Sequence, residues 1–125
     1  MDEQAPLPVV AVVRDLFFAI RIRDTLAPRG YAVVVAKTTE AVRAAVVTPP
    51  ALLVVDLAFA AIEPPRLIAA LKSDPATAGI PILAFGSHLD HAARDAAKAA
   101  GADRVVANSK LVEDLPDLAL RYARR

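Results

Sequence analysis

The stretch Leu52-Leu53-Val54-Val55-Asp56-Leu57-Ala58-Phe59 decides how this chain is read. Pro49-Pro50 bounds an aliphatic run on one side, and a carboxylate closes it on the other. Such a run has the pattern of a strand buried on both faces, as in a parallel sheet. An unpaired charge inside that strand would cost on the order of several kcal/mol. Asp56 is therefore expected at the strand's end, where the chain leaves the core and water or a cation can reach it. In open parallel sheets that edge is where ligands bind.

Four more apolar segments flank this one, and each is followed by residues with helical spacing. Val9 to Val13 reads as the first strand. Asp15 then caps a helix expected to carry Leu16, Ala19, Ile20 and Ile22 inward and to end before Pro28. Gly30 turns the chain into a second strand, Ala32 to Val35, and Thr38 or Thr39 starts a helix through Val42 and Val46. Leu52 to Val55 is the third strand. Pro64-Pro65 suits a helix start, with Leu67, Ile68 and Leu71 on the apolar side. Ser73 to Pro81 has loop chemistry, and Ile82 to Phe85 is the fourth strand. His88 to Gly101 predicts a helix with an alanine inner face, ended by the glycine. A short fifth strand at Arg104 to Val106 precedes a last helix near Leu115 to Tyr122, with Pro116 in its first turn. Strands and helices alternating over short connections predict an α/β fold with a parallel sheet and right-handed crossovers.

Composition narrows the function classes. With 125 residues the chain has the size of one domain, read as a core from about residue 7 to 122 between short tails. It is 56% hydrophobic but only 5% aromatic, so Ala, Val, Leu and Ile must build the core. A net charge of +1 gives no reason to expect nucleic acid or an anionic membrane as partner. Cysteine is absent, which excludes disulfides and thiolate metal sites and suits the cytoplasm. Met1-Asp2-Glu3-Gln4 lacks the basic start of a signal peptide, and no apolar run approaches a membrane span. There is neither a P-loop nor a G-x-G-x-x-G, and Val12-Val13-Arg14-Asp15-Leu16 supplies no phosphate cradle for a flavin.

With five β-α units and an acid ending the third strand, the chain resembles the receiver domain of bacterial response regulators. Three stretches carry the likeness: Leu52 to Phe59, Leu71 to Phe85 with its Asp-Pro loop, and Ala96 to Ser109 with its Ala-Gly-Ala-Asp passage. The resemblance implies a flavodoxin-like (CheY-like) five-stranded parallel sheet of order 2-1-3-4-5, with five helices on both faces. It also implies residue roles. Asp56 matches the phospho-acceptor, Asp15 the more directly coordinating magnesium ligand, and Ala58 the residue lending a carbonyl to the metal. Phosphoryl transfer to a carboxylate is mostly positioning and charge neutralisation, so each supporting group matters.

Several of those groups are missing. Arg14 stands where the family has a second carboxylate, and its fixed charge should weaken Mg²⁺ binding. Gly86 stands for the family's Thr or Ser, with Ser87 one residue late. Asn108 aligns with the family's lysine and Ser109 with its proline, while Lys110 comes two residues late. Val105 replaces the aromatic that turns inward on activation. The reading favoured is a free-standing, degenerate pseudo-receiver, not an enzyme and without an output domain, that acts by protein–protein interaction. The resemblance implies signalling partners, a histidine kinase or a downstream effector, and a homodimer face of fourth helix, fifth strand and last helix. Two alternatives stand beside it: a working Asp56 phospho-acceptor dependent on Mg²⁺ and a kinase, and a small-anion binder with the anion on Arg14. An Arg14–Asp56 or Arg14–Asp15 ion pair would account for the acids with no chemistry at all.

Three other groupings have plainer explanations. Ser87, His88, Asp90 and His91 invite thoughts of a triad or a metal, but Asp90 or Ser87 as a helix N-cap accounts for them. Phe17 and Phe18 are adjacent, so only one can face the core of a helix. Arg121, Arg124 and Arg125 suit a solvated helix end better than a nucleic-acid patch.

Overall fold

The computed structural model describes residues 5–125; the acidic Met1–Gln4 start lies outside the described residues. Five parallel strands form: β1 (Leu7–Val12), β2 (Tyr31–Val35), β3 (Leu52–Asp56), β4 (Ile82–Gly86) and β5 (Arg104–Ala107). They are ordered β2-β1-β3-β4-β5. Five helices alternate with them: α1 (Leu16–Leu26), α2 (Thr39–Ala45), α3 (Pro64–Ser73), α4 (His91–Ala100) and α5 (Asn108–Tyr122). The alternation predicts the parallel α/β sheet, and the flavodoxin-like, CheY-like order is the one the resemblance implies.

The period-2 alternation of each central strand supplies two cores. Val10, Val12, Leu53, Val55, Ile82, Ala84 and Val105 face α2, α3 and α4, where Val42, Ile68, Leu71 and Ala97 meet them. Val9, Ala11, Val54, Leu83, Phe85 and Val106 face α1 and α5, meeting Ala19, Ile22, Leu26, Leu111 and Leu115. Every residue of β3 is buried, as its continuous apolar run requires. No helix of the described residues is long and apolar enough to cross a membrane.

Two elements differ from the reading of the sequence. Leu16 and Ile20 do not face inward; they are 64% and 44% exposed. Ala19, Ile22 and Leu26 set the rotation of α1 and turn those two outward. The last helix begins at Asn108, directly after β5, and Pro116 lies in its interior instead of its first turn. No glycine or turn separates β5 from α5, and Leu111, Leu115 and Leu118 already keep one apolar face from the first turn onward.

The ends of the strands opposite Asp56 are held by a polar junction that sequence reading did not anticipate. Lys72 on α3 donates from Nζ to the carbonyls of Ile80 (2.8 Å) and Ala78 (3.3 Å) and to Asp103 Oδ2 (2.9 Å). That oxygen also accepts from the backbone N–H of Ile82 at 2.7 Å. One ammonium thereby joins α3, the Asp-Pro loop and the starts of β4 and β5. The signal was present in the Leu71-Lys72 and Ala102-Asp103 dipeptides, but no spacing rule links them across 31 residues.

Candidate functional site

Asp56 is the last residue of β3 and is paired in register with Phe85 of β4. The backbone turns at once: the Phe59 N–H donates to the Asp56 carbonyl at 3.1 Å. The Ala58 N–H donates to Asp56 Oδ1 at 2.9 Å. These bonds draw the carboxyl in, and Asp56 is 6% exposed instead of standing open. Burial is the main cause that raises the Asp56 pKa above 3.8. The Ala58 N–H opposes that rise, the nearby Asp15 charge adds to it, and the Arg14 charge opposes it least.

Asp15 follows β1 and caps α1, its Oδ1 accepting from the Phe17 N–H at 2.7 Å. Arg14 is exposed and acts on Asp56 through space. The ion pair of Arg14 with Asp56 or Asp15 is not found: the salt bridges of the described residues lie elsewhere. An exposed guanidinium gains little by holding such a pair, because water solvates it as well.

The other positions singled out in the sequence divide between the crevice and its surroundings. Gly86 ends β4 and is buried beside Leu57. Ser87 is exposed, and its Oγ accepts from the Leu89 N–H at 3.1 Å. Asp90 caps α4, accepting from the Ala93 N–H at 3.0 Å, and His88 and His91 are exposed. Asn108 opens α5, whose N-cap Ala107 makes no side-chain bond. Lys110 is turned away into an ion pair with Asp114 at 2.8 Å, one helical turn on. Val105 is buried on the face of β5 that meets α4. Phe18 packs on Phe85 at 5.0 Å between ring centroids, and Phe17 stays 57% exposed.

The residues fit a divalent cation poorly. Among the described residues no three His, Cys, Asp or Glu side chains gather where they could hold a metal. Asp15 and Asp56 supply two carboxylates, one of them already capping a helix, with a guanidinium nearby. Mg²⁺ asks for hard oxygen ligands and gains nothing from a fixed positive neighbour. Larger surface grooves, of about 540 Å³ each, lie along α5 and beside Tyr31 rather than over Asp56.

Sheet order and site position together define the receiver fold of response regulators. Solved structures agree. A proposed response regulator of Chloroflexus aurantiacus is 25% identical, with TM-score 0.82, over 95% of this chain and 99% of that one. The chemotaxis response regulator CheY4 of Vibrio cholerae is 20% identical, with TM-score 0.81, over 94% and 98%. The receiver domain of a Pseudomonas aeruginosa sensor histidine kinase, which has magnesium coordinated in its active-site cleft, is 18% identical. Its TM-score is 0.82 over 94% of this chain and 98% of that one. No family model matches the sequence, and no curated protein does.

Proposed function

We propose that this chain is a receiver-like domain of two-component signalling that works by protein–protein contact and is insensitive to phosphate. One observation carries the reading. The carboxyl at the acceptor position keeps its place at the end of β3, while the groups that would hold and report a phosphoryl group are absent around it. Gly86 has no hydroxyl, Asn108 no ammonium, and Lys110 is engaged with Asp114. A phosphoryl group on Asp56 would find neither its stabilising contacts nor a residue to move. Binding partners would be signalling proteins, a histidine kinase or an effector, in the cytoplasm. The groove between β5 and α5, bearing Arg104, Asp117, Leu118 and Arg121, offers a face of mixed charge for a partner or a second copy.

The test is incubation with Mg²⁺ and acetyl phosphate or beryllofluoride, followed by intact mass and amide NMR. The expected result is an unmodified mass and no shift reaching Val105. The second reading, a working phospho-acceptor, draws support from Asp56 standing at the end of β3 with the Asp15 carboxylate nearby. A stable adduct on Asp56 with shifts at Val105 would establish it and overturn the first.

A further inference from the structure

Three large apolar side chains stand exposed together on α1: Leu16, Phe17 and Ile20. The other exposed large apolar residues of the described chain, Val34, Val47, Leu89 and Leu120, stand singly elsewhere. A lone exposed leucine is ordinary, whereas a contiguous patch marks a surface that something covers. Ala19, Ile22 and Leu26 turn the opposite face of α1 into the core, so the patch points away from the sheet. Arg21 flanks it, its guanidinium 6.0 Å from the centre of the Phe17 ring.

The charges at the two ends of the patch complement each other. Arg14-Asp15 precedes it and Arg23-Asp24 follows it. All four are exposed, and the salt bridges of the described residues involve none of them. Counted from Ala19, Arg14 and Asp24 lie five residues away on either side, Asp15 and Arg23 four, and Phe17 and Arg21 two. Consider a second α1 laid antiparallel across the patch, with a two-fold axis at the level of Ala19. Arg14 then meets the partner's Asp24, Asp15 the partner's Arg23 and Phe17 the partner's Arg21, each contact made twice. Phe17 also comes within one residue's rise, about 1.5 Å, of the level of the partner's Ile20, which closes the apolar centre. Opposed helix dipoles favour the same arrangement. A parallel pair about a two-fold axis would instead set every charge against its own copy.

We infer that α1 is the contact face of a homodimer, with Leu16, Phe17 and Ile20 at its centre and the Arg14–Asp24 and Asp15–Arg23 pairs fixing its register. The inference goes beyond the proposed function and stands whether or not Asp56 accepts phosphate. One helix from each copy buries less than the ~1,200 Å² of a standard interface, so the dissociation constant should be on the order of 0.1 mM. The contact brings the partner's Arg23 and Asp24 to the crevice rim at Arg14 and Asp15. It leaves the groove between β5 and α5 open to another protein.

Sedimentation equilibrium from about 10 μM to about 1 mM tests this, at low and at high salt. A monomer–dimer equilibrium is expected, weaker in high salt because its ion pairs are exposed. Phe17→Asp should weaken it at least about tenfold while Tm stays within about 2 °C, since the residue is exposed in the monomer; Ile20→Ser is the second variant. Arg14→Asp and Asp24→Arg should each weaken it about tenfold, because two opposed pairs per dimer become like-charged. An equimolar mixture of those two variants, one of them fluorescently labelled, should recover the wild-type affinity, since both pairs are opposed again in the heterodimer. A wild-type chain that stays monomeric at about 1 mM overturns the inference. So does a mixture no tighter than either variant alone, or a dimer that survives Phe17→Asp and Ile20→Ser but dissociates with Leu120→Asp on α5.

Discussion

At Asp56, loss of water outweighs the single backbone N–H that Oδ1 accepts, so folding raises its pKa and favours the charged form less than the unfolded chain does. The consequence for stability has a definite sign. With a folded pKa raised above the unfolded one, the carboxyl's contribution is fully present below about pH 3.8 and is lost as pH rises through the folded value. Asp56→Asn should therefore raise Tm at neutral pH and flatten this part of the Tm–pH curve, which calorimetry between pH 3 and 8 would read. A variant less stable than wild type at pH 7 would contradict it. The neighbouring phenylalanines separate in the same manner. Phe18→Ala should cost about 2 kcal/mol through lost packing on Phe85, and Phe17→Ala less than about 0.5 kcal/mol, both measurable by urea denaturation. That one of the two must face outward follows from their adjacency. Which one does so depends on the rotation of α1, and Ala19, Ile22 and Leu26 set that against the sheet.

Among the elements, α5 and the Lys72 junction depart furthest from what local pattern suggests. Pro116 has no N–H for the Val112 carbonyl, yet α5 runs through it because Leu111, Leu115 and Leu118 are buried on both sides of the break. Pro116→Ala should restore that bond and stabilise the fold by about 1–3 kcal/mol. A fall in the denaturation midpoint would show instead that the proline is needed. Lys72→Met keeps the stem of the side chain and removes the ammonium, leaving the Ile80 carbonyl without its donor. The expected loss is about 1–2 kcal/mol, moderated because Asp103 is half-exposed. Helix and strand types were legible from alternation and turn residues, and Thr38, Asp90 and Gly101 mark ends where capping chemistry places them. The start of α5 was not legible, because a proline in a helical run resembles a first turn until burial shows the face continuing before it.

For the molecule as a whole, the disposition of charge around the strand ends bears on cation dependence. Two carboxylates beside Arg14 predict that Tm in millimolar Mg²⁺ equals Tm in chelator, since a ligand stabilises only in proportion to its binding. Arg14→Asp would bring a third carboxylate to the crevice. Its Tm should drop in chelator through like-charge repulsion and recover when Mg²⁺ is added. A wild-type Tm that climbs with Mg²⁺ would show that the guanidinium does not take the cation's part.

Fold class and the position of the acidic residue at a strand's end could be read from one dimension, because hydrophobic period and turn chemistry are properties of neighbours in the chain; the strand order came only with the resemblance. The state of the site could not. That Asp56 is drawn in by the Ala58 N–H, that Lys110 is spent on Asp114 and that Leu57 lies beside Gly86 all follow from contacts made after folding. Side-chain direction and access to water depend on how helices rotate and strands align against one another, and no local rule of spacing contains that information.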